Sequence, residues 1–289
     1  MRDYVAEFQK KVDEINTDSQ TINIINAGIM NHGKSSLFNS LIGKEVFKEG
    51  DIRVTEKIQR EQWMDNAYLI DTPGLAAEDT DDTVAYEAYR RANMIVFVHT
   101  VKVGELHEKE LDAINKIKAL FNDDNFFCRH FCLVLTFKES DSDESISSIR
   151  DKTLADIQQH CGISDFQIFI VSNSRYKKGT QSFIAQSGVP ELREYLTRNF
   201  EKWNGENKYF RGMRIGNEKK DLISQLEQER KEVNQDISKK TDEVKKRQTE
   251  FLRKLETAVT QYNEAKSRYN QAQSQLESMK AHLADLRRR

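Results

Sequence analysis

Eight consecutive residues, Gly28-Ile29-Met30-Asn31-His32-Gly33-Lys34-Ser35, carry the side chains and spacing needed to wrap a polyphosphate. Gly28 and Gly33 let backbone N–H groups curl around an anion, and a helix opening after the second glycine adds its positive N-terminal end. Lys34 brings a full charge to the β- and γ-phosphates, and the Ser35 hydroxyl is an oxygen ligand for Mg²⁺. The GxxxxGKS pattern follows an apolar strand, TINIINA, and opens a helix, SSLFNSLI, with Ser36 in its first turn; this is the context the pattern requires. A second group, Asp71-Thr72-Pro73-Gly74, closes the strand AYLI. There Asp71 is aimed at the metal through water, and the Gly74 N–H can approach the γ-phosphate. Thr55 is the only threonine between the two groups, in the polar stretch from Glu49 to Glu56. Its hydroxyl is suited to the metal and its carbonyl to an attacking water, as a loop that senses the γ-phosphate needs. The expected metal ligands are thus Ser35, Thr55 and Asp71.

These residues need a frame. Short apolar runs at Ile22–Ala27, Lys57–Trp63, Ala67–Ile70, Met94–His99, Phe131–Thr136 and Gln167–Ser172 predict strands. Between them, helical patterns run over Ser35–Leu41, Thr83–Ala92, Leu106–Phe121, Glu144–Cys161 and Pro190–Phe200. Strand alternating with helix predicts an α/β domain with a mostly parallel central sheet covered on both faces. Ahead of it, residues 1–20 form an amphipathic helix with Val5, Phe8, Val12 and Ile15 on one face.

The string GIMNHGKSSLFNSL, then Thr55, then DTPGL, resembles the translation-factor-related GTPases of the Era/TrmE/dynamin branch, which share GxxNxGKSxLxN; Asn31 and Asn39 occupy its asparagine positions. The loop VFKEGDIRVT and the run ANMIVFVHT before a long helix are most similar to bacterial dynamin-like GTPases. The resemblance spans roughly residues 21–200 and implies a P-loop GTPase domain over 21–204 that binds GTP or GDP with Mg²⁺. It also implies a K⁺ site: in relatives that dimerise through their G domains, the asparagine at the Asn31 position helps hold K⁺ beside the phosphates. His32 is the neighbouring candidate. Lys34, Thr55, Asp71, Gly74 and Asn31 are the expected catalytic group.

Two positions depart from the family pattern. Guanine is read there by (N/T)KxD, whereas this chain has Thr136-Phe137-Lys138-Glu139 and then Asp141. Either the loop bulges to use Lys138 and Asp141, or Glu139 does the reading. Ser172 and Asn173 match the loop whose backbone meets guanine O6. The residue after DTPG is Leu75, and an apolar side chain cannot orient water, so hydrolysis needs another device.

The composition breaks at residue 216. All twelve glycines and both prolines lie at or before it, and the 73 residues beyond carry 17 basic against 13 acidic side chains. Residues 205–216 read as a linker and 217–289 as a helical, coiled-coil segment. From Phe251 the rows Phe251, Ala258, Ala265, Ala272, Met279, Leu286 and Leu255, Tyr262, Tyr269, Leu276, Leu283 keep a heptad. Upstream, Leu222, Val233, Val244 and Leu255 recur every eleven residues, which changes the pairing geometry. Such a stripe needs a partner: the same chain, a second copy through tail or G domains, or another helical protein.

Other classes fall away. Forty-five basic against forty-seven acidic residues give no reason to expect nucleic acid, and a ribosome-assembly GTPase would want a basic RNA-binding segment. Three cysteines without CxxC spacing point away from disulfides and zinc fingers and toward a reducing, cytoplasmic compartment. No apolar run is long enough to span a bilayer. The closing Arg287-Arg288-Arg289 suits a helix C-terminus better than a membrane surface, so peripheral membrane contact lacks support. The competing class is a nucleotide-gated scaffold with little or no hydrolysis.

Overall fold

The computed structural model of the chain describes residues 3–18, 20–48, 58–75 and 79–286. It divides into two units, Met1–Leu222 and Ile223–Arg289. The first is an α/β domain around six strands: β1 (Ile22–Ala27), β2 (Gln59–Met64), β3 (Ala67–Asp71), β4 (Met94–Thr100), β5 (Phe131–Thr136) and β6 (Gln167–Ile170). Their order is β2-β3-β1-β4-β5-β6, parallel throughout except for β2, which runs antiparallel to β3. Every residue of β1, β4 and β5 is buried, as uninterrupted apolar runs require at the centre of a sheet covered on both faces. The polar sequence QREQWM suits β2 to the edge.

The described residues also form ten α-helices: α1 (Tyr4–Asp18), α2 (Lys34–Ile42), α3 (Asp79–Tyr89), α4 (Glu108–Lys118), α5 (Asp124–Arg129), α6 (Asp143–Cys161), α7 (Asn173–Lys177), α8 (Gln181–Gln186), α9 (Val189–Gly205) and α10 (Asn207–Leu286), the last reaching into the second unit. On one face, Leu37, Phe38 and Leu41 of α2 join Leu192, Leu196 and Trp203 of α9 over Ile22, Val96 and Val134. On the other, Tyr89, Ile114, Phe127 and Ile157 pack with Ile25, Phe97 and Leu133. The short α5, α7 and α8 were not expected from periodicity. At two turns or less, a capping residue such as Asp123, which accepts from the Phe126 N–H, carries more of the signal than an apolar stripe.

The segment 205–216, expected as a linker, is helix from Asn207 onward. Phe210 is fully buried and Met213 nearly so, both in the core of the first unit. Arg214 donates to Arg91 O and Asn93 Oδ1, and Asn217 donates to Leu120 O. This burial outweighs the low helix propensity of Gly212 and Gly216. In α1, Phe8, Val12 and Ile15 are half-buried while Val5 is exposed, and ion pairs from Lys11 to Glu218 and Arg91 to Asp18 hold the helix.

The second unit is the continuation of α10, helical to Leu286, with Leu255, Tyr262, Tyr269, Leu276 and Leu283 all exposed. Among the described residues, no helix is long and apolar enough to cross a membrane. Arg287–Arg289 lie outside the described residues.

Candidate functional site

The strand order reverses at β1, whose neighbours are β3 and β4, and the crevice beyond its carboxyl end is where open α/β sheets bind ligands. Residues 28–33 turn across that crevice into α2. Gly28 (φ 134°) runs so close to β4 that a Cβ would lie 2.2 Å from Val98 O. Asn31 (φ 66°) and Gly33 (φ 86°) take left-handed conformations, the second starting the helix at Lys34. Ser36 is half-buried in the first turn of α2, its carbonyl accepting from the Ser40 hydroxyl.

Lys34 is buried, and its Nζ donates to Ile29 O at 2.8 Å, its one hydrogen-bond acceptor among the described residues. Burial pushes its pKa down to about 8, against the pull of the Asp71 and Glu110 carboxylates. A buried ammonium with spare N–H groups inside a turned loop is a charge waiting for an anion. Beside it, Ser35 Oγ donates to Asp71 Oδ2 at 2.7 Å, bringing together two oxygen ligands of the kind Mg²⁺ takes. Thr55, the third expected metal ligand, lies outside the described residues.

Asp71 is held by a residue that sequence reasoning missed. Asn26, fully buried near the end of β1, donates from Nδ2 to Asp71 Oδ1 and accepts the Thr72 N–H at 2.9 Å. An asparagine inside an otherwise apolar strand was the available signal, because such a group is buried only with partners. The following turn lies directly on the phosphate loop. A Cβ on Gly74 would come within 2.6 Å of Met30 Cα, and the Leu75 N–H donates to Gly28 O at 3.1 Å. Leu75 is buried in the core, an apolar side chain with no group to orient a water.

On the side of the loops after β5 and β6, Glu139 and Asp141 turn to different partners. Glu139 Oε1 accepts from Ser174 Oγ. Partial burial works against its charge, but hydrogen bonds with Ser172 and Ser174 outweigh it and hold the carboxyl below its ordinary value. Asp141 is exposed and turned to the start of α6, accepting from the Ser142 N–H and Ser145 Oγ. Lys138 contributes its backbone N–H to Val171 O. Phe137 (φ 62°) lays its ring beside Gly33, with Lys102 Nζ 3.6 Å from the ring centroid. Thr136 Oγ1 donates to His32 O at 2.7 Å, and Asn173 Nδ2 reaches Gly33 O at 3.4 Å, so both base loops are tied to the phosphate loop. Ser172 Oγ accepts from the Arg175 N–H.

The His32 side chain turns inward, to a buried cluster with His99 and Glu110. Burial alone would raise the Glu110 pKa, yet the two imidazoles and the His107 N–H hold it down at about 2. An acid at position 110, one turn ahead of Ile114 on the apolar face of α4, was the sequence signal for it.

Residues 23–128 match the 50S ribosome-binding GTPase family. An uncharacterized protein of Acinetobacter baylyi is 34% identical over 183 residues, 61% of this chain and 41% of that protein. The match thus spans about two fifths of the relative's length. A structure of an oligomerised bacterial dynamin pair, described as a mechanism for long-range sensing and tethering of membranes, aligns with TM-score 0.53 at 17% identity, covering 92% of this chain and 53% of that one. Toc33 of Arabidopsis thaliana in complex with GDP and Mg²⁺ aligns with TM-score 0.48 at 21% identity, over 68% of this chain and 95% of that one. The fold is that of a P-loop GTPase domain, shared with the bacterial dynamin pair.

Proposed function

We propose that this chain binds GTP with Mg²⁺ through a G domain over residues 21–204 and hydrolyses it to GDP and phosphate, the helical segment coupling the cycle to self-association. The observation that carries the reading is the buried, under-partnered Lys34 ammonium next to the Ser35–Asp71 pair. Lys34 neutralises phosphate charge, Ser35 and Asp71 serve the metal, and the Gly74 N–H meets charge that develops on the γ-phosphate as water attacks it. Bound Mg²⁺ supplies further charge neutralisation. Thr55 contributes a loop ligand, and Asn31 holds K⁺. Glu139 accepts from the guanine ring N–H and amino group, and Phe137 offers an apolar face to the base.

The buried Leu75 favours a second reading, a nucleotide-gated scaffold that turns over slowly. Phosphate release measured across protein concentrations separates the two: activity per mole that rises with concentration, and more in KCl than NaCl, supports the enzyme that pairs its G domains. Lys34→Ala should abolish tight nucleotide binding, and Thr55→Ala should spare binding while cutting hydrolysis. Both variants behaving as the parent would show the site to be misassigned.

A further inference from the structure

Behind the phosphate loop, two histidines converge on one carboxylate oxygen. His99 Nδ1 lies 2.9 Å from Glu110 Oε1, and His32 Nδ1 lies 3.4 Å from the same atom. His99 and Glu110 are completely buried, and His32 is 6% exposed. Buried imidazole nitrogens are ordinarily hydrogen-bonded, but His32 Nδ1 reaches Glu110 Oε1 only at 3.4 Å and without the geometry of a hydrogen bond, a charge contact at most.

The surroundings fix which atoms point inward. His99 Nε2 lies 2.9 Å from Gly104 O, an acceptor, so Nε2 carries a proton there. In the neutral ring that leaves the Nδ1 lone pair aimed at a carboxylate oxygen, which is repulsive unless a positive charge lies between them. Glu110 Oε2 is occupied by the His107 N–H at 3.0 Å, which directs Oε1 at the histidines. The two histidine backbones are clamped together by the Thr136 hydroxyl, which faces His32 O at 2.7 Å and His99 O at 3.1 Å. Three strand ends and α4 thus hold the cluster.

We propose that His32, His99 and Glu110 form a transition-metal site, separate from the nucleotide's Mg²⁺, with Zn²⁺ as the ion it suits. A tetrahedral ion about 2.1 Å from each ligand spaces the ligand atoms about 3.4 Å apart. The His32 distance to Glu110 Oε1 equals that value, the His99 distance of 2.9 Å is shorter by half an ångström, and all three groups lie within 4.8 Å of one another. Two imidazoles and one carboxylate are a borderline donor set, which favours Zn²⁺ over Mg²⁺ or Ca²⁺. The Nε2–H of His99 on Gly104 O and the His107 N–H on Glu110 are the outer contacts that orient metal ligands. One position remains for water. Such an ion would pin the phosphate loop, through His32, to β4 and α4.

The test uses the full chain, stripped with a chelator and titrated with Co²⁺ as a visible reporter, then with Zn²⁺ in competition. We expect one equivalent of Co²⁺, with the intense visible bands of tetrahedral coordination and without the near-ultraviolet sulfur charge-transfer band that cysteine ligation would give. Zn²⁺ should displace it and persist through gel filtration, as read by elemental analysis. His99→Gln and Glu110→Gln should each weaken the site at least 100-fold, whereas His160→Ala, on the exposed end of α6, should leave it unchanged. A folded parent chain that takes up no Co²⁺ with these bands overturns the proposal without any variant; a shared proton then bridges His99 and Glu110. Binding retained by both variants overturns it as well. Nucleotide binding is not the readout, so failure here leaves the GTPase reading standing.

Discussion

In the proposed base site, Glu139→Gln would replace a carboxylate able to accept from both guanine donors with an amide that accepts from one and opposes the other. In the parent, the carboxyl is held below its ordinary value by Ser172 and Ser174 and is ionised at neutral pH. Hydrogen bonds to a charged acceptor contribute about 1.5–3 kcal/mol, and an exposed group such as Glu139 belongs at the lower end. A loss of about 1.5–2 kcal/mol is roughly ten- to thirtyfold in GTP affinity. The same amide gains a partner in xanthine, whose C2 carbonyl replaces the amino group, so XTP should bind the variant better than it binds the parent. A depressed carboxyl loses its charge only as pH falls through the lowered value, so the parent's preference for GTP over ATP should hold down to about pH 5. Competition titrations of a fluorescent guanine nucleotide with GTP, XTP and ATP measure all three quantities. Asp141→Asn is the control, because Asp141 is committed to Ser142 and Ser145 and should shift none of them. If Glu139→Gln leaves the nucleotide preferences intact while Asp141→Asn changes them, the assignment of the base reader is wrong.

Further outcomes follow from the same contacts. Asn26→Ala should destabilise the fold by about 1–3 kcal/mol in urea unfolding, because it strands the buried Thr72 N–H and removes the Asn26 Nδ2 donor from Asp71. Gly74→Ala places a methyl against the Met30 backbone and should lower phosphate release strongly while GDP binding persists; unchanged turnover would mean that the turn has no part in hydrolysis. Truncation after Leu222 should preserve nucleotide affinity and reduce self-association in light scattering, whereas cutting at Gly216 should also lower the melting temperature by removing Asn217 and Glu218 from their partners.

The phosphate loop and its α/β setting were legible in the sequence because both rest on local rules. GxxxxGKS dictates the turn it makes, an apolar run dictates a buried strand, and DxxG at a strand end dictates where an acid emerges. Ser35 and Asp71 could be paired on those rules alone, and they meet at 2.7 Å. What depends on contacts between distant segments was not legible. Glu139 and Asp141 are chemically alike and two residues apart; only the positions of Ser174 on one side and Ser145 on the other decide which faces the base loops. The glycines of 205–216 read as a break, but the core beneath Phe210 and Met213 carries the helix through them. His32, His99 and Glu110 come from the phosphate loop, the end of β4 and α4, and no spacing in the chain relates them. They share one carboxylate oxygen because a parallel sheet brings its strand ends to one edge, where side chains far apart in sequence are buried against each other.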